Sequence, residues 1–343
     1  MHKIITFGIP SYNAAKDMDH CITSILEGSD YAKDVEIIIV DDGSKDETAQ
    51  KADEWESRYP GIIRAVHQEN GGHGIAVLSG LREAQGTYYK VVDSDDWLDG
   101  EALSTMLTIL RGFEERGQRV DLFISNYVYE KVYEGTHTAI GYRTALPRKK
   151  IFGWDTIGRF RPDQNLLMHS LCYRTDVLRE ANLPMPPHTF YVDNIYAYVP
   201  LPLCKTMYYA DIDLYRYFIG REGQSVNEAT MVKRLDQQFR VTRIMMESFH
   251  LGTDVEAPRL RSYMMGYFTM MMAICSVFTK LSDEPGADDR LKELWRDLKD
   301  YDEQMYRHAR YGVIGLFTNL KGRVGQKTTI GLYHLASKIF KFN

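Results

Sequence analysis

Residues 35–44, Val-Glu-Ile-Ile-Ile-Val-Asp-Asp-Gly-Ser, decide the fold class of this 343-residue chain. An apolar run that ends in two acids and a glycine is typical of a strand that is buried on both faces and followed by a turn. Similar runs occur at 4–9, 62–66 and 88–92, and stretches of helical length separate the four runs. This alternation indicates consecutive βαβ units and predicts an α/β fold with a mostly parallel sheet flanked by helices.

Helix signals occupy the stretches between these runs. Ser44 followed by Glu47 predicts a capping box that opens a helix through Trp55, and Gly86 stands where the preceding helix should stop. A helix near 99–115 and a strand near 122–129 are expected next. From residue 228 the pattern becomes helical, with helices expected near 228–250, 256–280, 288–310 and 328–340. We expect a main domain over 1–227, with halves of about 1–98 and 99–227, and a helical region over 228–343.

The composition is that of an ordinary globular protein, with 44% hydrophobic and 26% charged residues. A net charge of only −5 argues against nucleic-acid binding by the chain as a whole. Its four cysteines form no CxxC pair, so neither a zinc cluster nor a disulfide framework is indicated, and a reducing cytoplasm fits best. The N-terminus has no pattern of a signal peptide, so secretion is not expected.

Acidic side chains follow two of the predicted strands. Asp41 and Asp42 follow the second run, and Asp93, Asp95 and Asp96 follow the fourth. Ligands of such sheets bind at the carboxyl ends of the strands, so the five carboxylates are expected at one edge. Two carboxylates ~4 Å apart repel by on the order of 4 kcal/mol at an effective dielectric of ~20, which implies a divalent cation, Mn²⁺ or Mg²⁺. Such a cation meets the need of a transferase whose sugar donor releases a diphosphate.

Other interpretations of the acids explain less. A single acid such as Asp46 or Asp99 is more simply a turn former or a helix cap. A haloacid-dehalogenase-like phosphatase requires Asp-x-Asp after the first strand, where residues 10–13 read Pro-Ser-Tyr-Asn, and a nucleotidyltransferase requires a glycine-rich basic loop there. A catalytically inactive scaffold that binds a nucleotide-sugar or glycan is the alternative to an enzyme.

Four blocks, at residues 9–13, 39–44, 70–72 and 92–97, resemble family 2 glycosyltransferases in order and spacing. The resemblance implies a GT-A fold, a Rossmann-like sheet flanked by helices, with a C-terminal helical annex. It implies an inverting, metal-dependent transferase with a DXD motif. A nucleotide-sugar, in particular a UDP-sugar, is the expected donor, and the expected acceptor is a saccharide or lipid-linked saccharide in cell-surface polysaccharide synthesis.

The resemblance places the nucleoside at the ends of the first two strands. Pro10, Tyr12 and Asn13 are expected to line the nucleoside pocket. Asp42, together with Asp41, is expected to recognise the uracil.

The resemblance also places the metal and the donor sugar after the fourth strand. Asp93 and Asp95 occupy the DXD motif as metal ligands, and Asp95 is expected to be the direct one. Ser94, between them, is expected in the donor site, and Asp96 is expected close to the donor sugar.

The remaining site residues come from later segments. Asp193 is expected to take the acceptor proton, with Asp163 as the fallback, although Asp193 can equally be a helix cap. Arg221 is expected either to bind the diphosphate or to form a surface salt bridge. Asn70 and Gly71 precede a predicted helix, so their backbone amides are expected near a donor phosphate or in a plain turn.

Two features of the helical region bear on membranes. The apolar run 263–278 is 16 residues long, short of the roughly 20 that span a bilayer, and a buried helix is expected. No acid occurs after Glu303, and the tail contains basic residues among apolar ones, namely Lys321, Arg323, Lys327, Lys338 and Lys341. This tail is expected to be either a solvated face over a packed helix or an interfacial helix on anionic lipid, at the inner face of the cell membrane. The oligomeric state is left open.

Overall fold

The computed structural model describes residues 2–29, 34–161, 164–220 and 227–340. The chain divides into two compact units, Met1–Ile219 and Gly220–Asn343. The division falls a few residues before the boundary expected at 227.

The first unit is built on a ten-stranded sheet. Its strands are β1 (Ile5–Ser11), β2 (Val35–Asp41), β3 (Ile63–His67), β4 (Tyr88–Val91), β5 (Trp97–Leu98), β6 (Leu122–Lys131), β7 (Thr136–Ile140), β8 (Ile151–Phe152), β9 (Leu171–Arg174) and β10 (Met207–Phe218). Their order is β3-β2-β1-β4-β9-β6-β10-β5, with β7 on β6 and β8 on β10. Strands β1 to β4 pair in parallel, as does β10 with β6, whereas β9 is antiparallel to both β4 and β6. The predicted α/β fold is confirmed, but the prediction of a mostly parallel sheet is wrong. Among the described residues four strand pairs are parallel and five are antiparallel, because the later strands β5, β7, β8 and β9 pair in the antiparallel direction.

The helices of the first unit follow the strands along the chain. They are α1 (Met18–Glu27), α2 (Thr48–Arg58), α3 (His73–Glu83), α4 (Gly100–Glu115), α5 (Thr175–Glu180) and α6 (Asp193–Tyr198). Every residue of β1, β2 and β4 is buried, which explains their nearly continuous apolar sequences. The strand order reverses between β1 and β4, and in such sheets this reversal opens a crevice at the carboxyl ends of the strands.

The predicted helix signals are partly wrong. Helix α2 begins at Thr48 with Glu47 at the N-cap and no side-chain cap, because the Ser44 hydroxyl accepts the Asn13 amide instead. Gly86 lies beyond the end of α3, where a Cβ would be 2.5 Å from the backbone nitrogen of Thr6, so it permits close backbone packing against β1.

The second unit is helical. Its helices are α7 (Glu228–Lys233), α8 (Leu235–Glu247), α9 (Leu251–Asp254), α10 (Pro258–Leu281), α11 (Ala287–Tyr301), α12 (Glu303–Tyr311), α13 (Val313–Thr318) and α14 (Gly322–Phe340). The helix expected over 288–310 is broken at Asp302, whose side chain accepts the Met305 amide and caps α12. Helix α10 is long and apolar enough to cross a bilayer, but 67% of its apolar stretch is buried inside the protein, as a core helix would be.

Candidate functional site

The ends of β1 and β2 are joined by their loops. Asn13 has a left-handed backbone (φ 51°), its amide donates to the Ser44 hydroxyl, and its side-chain oxygen accepts the Lys45 amide at 2.8 Å. Tyr12 beside it is 48% exposed, which leaves an aromatic face open to solvent. Pro10 lies inside β1, opposite Val40, and is buried. Tyr12 and Asn13 are therefore at the surface of the predicted nucleoside site, whereas Pro10 supports it from within the sheet.

The two acids after β2 are buried and hydrogen-bonded. Asp41 accepts the Ser44 amide at 3.0 Å and faces Nδ1 of His67 at 3.1 Å. Asp42 accepts the side-chain amide of Gln68 at 2.6 Å on Oδ1, and its backbone oxygen accepts the side-chain amide of Asn70. Both acids thus build the turn from which the neighbouring loop departs.

The backbone amides of that loop contact Asp42. The Gly71 and Gly72 amides donate to the two carboxylate oxygens of Asp42, at 2.8 and 2.7 Å. The anion held by these amides is therefore a side chain of the protein, as in the plain turn that the sequence left open. A contact of the Gly71 amide with a donor phosphate stays a prediction. Gly72 adopts φ +87°, and a Cβ there would lie 2.9 Å from the backbone of His188, so glycine is required.

Asp93 lies at the end of β4 within reach of two histidines. Its Oδ1 is 2.8 Å from Nε2 of His73, the first residue of α3, and its Oδ2 is 3.9 Å from Nε2 of His169. Although burial by itself raises the pKa of Asp93, the charge and the hydrogen bond of His73, together with the charge of Lys90, outweigh burial and lower that pKa. Burial by itself lowers the pKa of His73. The nearby carboxylates, chiefly that of Asp93, outweigh burial and raise that pKa.

Asp96 is buried at the other end of this turn. Its two oxygens accept the Tyr215 hydroxyl at 2.7 Å and the Phe218 amide at 2.8 Å. Burial, followed by the charges of Asp95 and Asp93, raises its pKa well above the usual range. Ser94 and Asp95 lie between the two ends of the turn and are half-buried. The three acids therefore share one electrostatic site.

His169 and Lys90 were not predicted as parts of this site. Burial lowers the pKa of His169 to about 4, so its imidazole is neutral, and its Nδ1 is buried without a hydrogen-bond partner among the described residues. The Lys90 ammonium is buried beneath it, donates to the backbone oxygens of His169 and Leu171, and lies 5.2 Å from the Tyr215 ring. His169 stands alone in an apolar stretch, and no local motif marks it.

Asp193, predicted as the proton acceptor, lies in the same site. It is the first residue of α6, and its carboxylate interacts with the charges of His73 and Asp93. Burial raises its pKa to about 6, against the opposing charge of His73. The preceding loop has left-handed residues at His188 (φ 48°) and Tyr191 (φ 67°), and the His188 amide donates to Gly71. Backbone strain of this kind is concentrated at functional sites. Asp163 and Arg221 lie outside the described residues.

The acids fit a divalent cation. Asp93, Asp96 and His169 each place a ligand atom so that all three atoms lie within 4.8 Å of one another. Carboxylate oxygens suit Mg²⁺ and Mn²⁺, and a neutral imidazole is a ligand of transition metals. This group includes Asp93, one of the two predicted ligands, together with Asp96 and His169, which were not predicted as ligands. It does not include Asp95, whose role as the direct ligand stays a prediction.

The geometry agrees with comparisons to solved structures. S. aureus TarS 1–349 in complex with UDP-GlcNAc matches with a TM-score of 0.65 at 16% identity, over 97% of this chain and 92% of that one. Mannosyltransferase PcManGT from Pyrobaculum calidifontis, solved with GDP-Man and Mn²⁺, matches with a TM-score of 0.53 at 14% identity, over 100% and 89%. The protein has the GT-A fold with a C-terminal helical region.

Sequence comparisons give matches to glycosyltransferases. Residues 6–163 match the family model described as glycosyl transferase family 2. The uncharacterized glycosyltransferase EpsJ of Bacillus subtilis (strain 168) is 36% identical over 98 residues, which are 29% of this chain and 28% of EpsJ. Glycosyltransferase GlyG of Streptococcus pneumoniae serotype 4 is 32% identical over 128 residues, 37% of this chain and 40% of GlyG. The match thus spans less than half the length of either relative.

Proposed function

We propose that this protein transfers a sugar from a nucleotide-diphosphate donor, a UDP-sugar, to a hydroxyl group of a saccharide acceptor, with inversion at the anomeric carbon. The observation that carries the proposal is the meeting of the acids after β4 with His73, His169 and Asp193 at one site of a GT-A fold. TarS was solved with UDP-GlcNAc and PcManGT with GDP-Man, which supports a nucleotide-sugar donor.

The divalent ion in this proposal is held by the acids after β4. Asp93 supplies a carboxylate and His169 supplies a neutral imidazole from one group of potential ligands. Asp95 of the DXD motif is proposed as a further carboxylate ligand from the sequence alone. When bound, the ion supplies the Lewis acidity that neutralises the growing charge of the leaving diphosphate. A nitrogen ligand favours Mn²⁺ over Mg²⁺.

Asp193 acts as the base in this proposal. Inverting transfer requires a carboxylate that takes the acceptor proton as the hydroxyl attacks the anomeric carbon. The pKa of Asp193 is raised to about 6, so the group is ionised at neutral pH and still binds a proton better than an ordinary aspartate. His73 interacts with both Asp193 and Asp93, and in its protonated form it lowers the pKa of each carboxylate.

The nucleoside is assigned to the ends of β1 and β2. The exposed ring of Tyr12 offers a stacking face for the base, and Asn13 fixes the loop that carries it. Asp42 uses three of its roughly four acceptor positions within the protein, so one is left for the imide N–H of a uracil. Asp41 stabilises the turn after β2 by accepting the Ser44 amide.

The donor sugar and diphosphate are assigned to the turn after β4. Ser94 and Asp96 lie in that turn, and Arg221 is proposed as a diphosphate contact from the sequence alone. The acceptor is proposed to be a saccharide or lipid-linked saccharide of a cell-surface polysaccharide, with the protein in the cytoplasm.

The test is a panel of nucleotide-sugars with manganese or with a chelator. We expect UDP-sugars to raise the Tm of the protein only with manganese, and the preferred donor to be slowly hydrolysed to UDP. With an acceptor, proton NMR should show an inverted anomeric configuration. Stabilisation by GDP-sugars alone would contradict the assignment of uracil as the nucleobase of the donor. Donor binding without hydrolysis or transfer under any of these conditions would leave a binding scaffold instead of an enzyme.

A further inference from the structure

Large exposed hydrophobic side chains are concentrated at the end of the second unit. Of the twelve found among the described residues, eight lie between residues 311 and 335. Four of them, Val313, Ile314, Leu316 and Phe317, belong to the short helix α13, and Val324 follows in α14 with 80% exposure. These five residues are called the apolar ridge below. A concentration of large exposed apolar side chains marks an interaction site.

The ridge is held outward by the backbone beneath it. Gly315 is the buried residue of α13, and a Cβ there would lie 1.9 Å from the backbone oxygen of Ala309. Because only a glycine fits against α12, the helix cannot turn its larger side chains inward at that point. The Asn319 side chain donates to the Gly315 oxygen and the Thr329 hydroxyl donates to the Phe317 oxygen, both at 2.8 Å. The exposure of the ridge is therefore a property of a fixed local structure.

Within residues 313–327, which contain the ridge, every charged side chain is basic. Lys321, Arg323 and Lys327 are exposed, and within the described part of the chain no carboxylate lies within ion-pair distance of them. The sequence contains no acid after Glu303. A second copy of this chain would bring the same cations face to face, whereas an anionic lipid surface accepts both the apolar side chains and the cations.

We infer that the apolar ridge and these three cations form a docking surface for an anionic lipid membrane. Val313, Leu316, Phe317 and Val324 enter the boundary between headgroups and acyl chains, and the basic side chains contact the lipid phosphates. This surface lies entirely within the second unit, so the inference does not depend on the transferase chemistry.

The test is cosedimentation of the full chain with vesicles. We expect binding to vesicles of phosphatidylglycerol and phosphatidylcholine, weaker binding at high salt, and little binding to phosphatidylcholine alone. Because each basic side chain near such a surface contributes ~1 kcal/mol, the triple variant Lys321→Glu, Arg323→Glu, Lys327→Glu should bind roughly 100-fold more weakly. The double variant Val313→Ser, Phe317→Ser should bind these vesicles at least about tenfold more weakly than the wild type.

A second triple variant is the matched control. Lys292→Glu, Arg296→Glu and Lys299→Glu change three exposed cations on α11 and give the same net charge. It should bind vesicles as the wild type does, and all variants should keep the wild-type circular dichroism and manganese-dependent donor hydrolysis in solution. The inference would be overturned if both triple variants lost vesicle binding equally. It would also be overturned if the variants at 313 and 317 and at 321, 323 and 327, the ridge variants, bound vesicles as the wild type does. A dimer by light scattering that only the ridge variants dissociate would assign the surface to a second copy instead.

Discussion

The two acidic turns of the sheet look alike in sequence and differ in structure. After β2, the carboxylates of Asp41 and Asp42 are surrounded by donors: backbone amides, a glutamine amide and a histidine ring. After β4, the carboxylates of Asp93, Asp95 and Asp96 act on one another, and the pKa values of Asp93 and Asp96 are displaced in opposite directions. Donors within the protein occupy most acceptor positions of the first turn, whereas the second turn has excess negative charge that a cation would offset.

The first turn also supports the second. Asp42 holds the amides of Gly71 and Gly72, the Gly71 oxygen accepts the His188 amide, and the loop from His188 leads into Asp193. One acidic pair therefore shapes the loops, and the other lies at the chemical centre. Acids at strand ends thus indicate a site, but their hydrogen-bond donors determine whether they serve as scaffold or as ligands.

The largest effect is expected from Asp95→Ala. Loss of a metal ligand should reduce manganese-dependent transfer by at least about 1000-fold, equivalent to ~4 kcal/mol of transition-state stabilisation. Stability should change little or increase, because the substitution removes one charge from a like-charged cluster. Steady-state kinetics together with thermal unfolding measures both quantities. Turnover near the wild-type level in a folded Asp95→Ala protein would defeat the assignment of the metal site.

The opposite pattern is expected from Asp42→Ala. This substitution leaves the Gly71 and Gly72 amides and the Gln68 side chain without their acceptor, so the free energy of unfolding should fall by about 3 kcal/mol. At temperatures where the variant is folded, KM for the donor should rise more than kcat falls. Denaturant unfolding of Asp42→Ala beside Asp95→Ala gives the direct comparison. If Asp95→Ala is the less stable variant, the distinction between the two turns is wrong.

The sequence identified the parts of the fold that depend on local pattern. The four apolar runs predicted β1 to β4, because strands buried on both faces need continuous apolar residues, and Asp99 caps α4 as expected near 99–115. Ser44 was misassigned as a cap because its hydroxyl is used by Asn13, a residue more than thirty positions away. Local capping patterns cannot reveal a tertiary partner of that kind.

Prediction of the site from the sequence is limited in the same way, because partners distant in sequence leave no local pattern. Asp93, Asp95 and Asp193 were predicted from motifs, and the structure brings them together, but their roles stay predictions. His169 lies in the site because β9 pairs with β4, an antiparallel pairing that the βαβ pattern does not predict. Lys90, in β4, then donates to the backbone oxygen of His169. A lone histidine in an apolar stretch is more often a packed core residue, so only the fold reveals that it faces Asp93.

The smallest effect is the dependence of the rate on pH, which sharpens the comparison at Asp193. Its pKa is raised to about 6 by burial, and the ionised form is the base, so kcat/KM should be constant above that pH and fall tenfold per unit below it. Manganese affinity, measured by calorimetry over the same range, is the control. An affinity that falls in parallel with the rate would assign the acid limb to the metal ligands. The variant His73→Gln removes the positive charge that lowers the pKa of Asp193, so the acid limb of its pH–rate profile should move to higher pH. An acid limb that stays at the wild-type pH would contradict the assignment of Asp193 as the base.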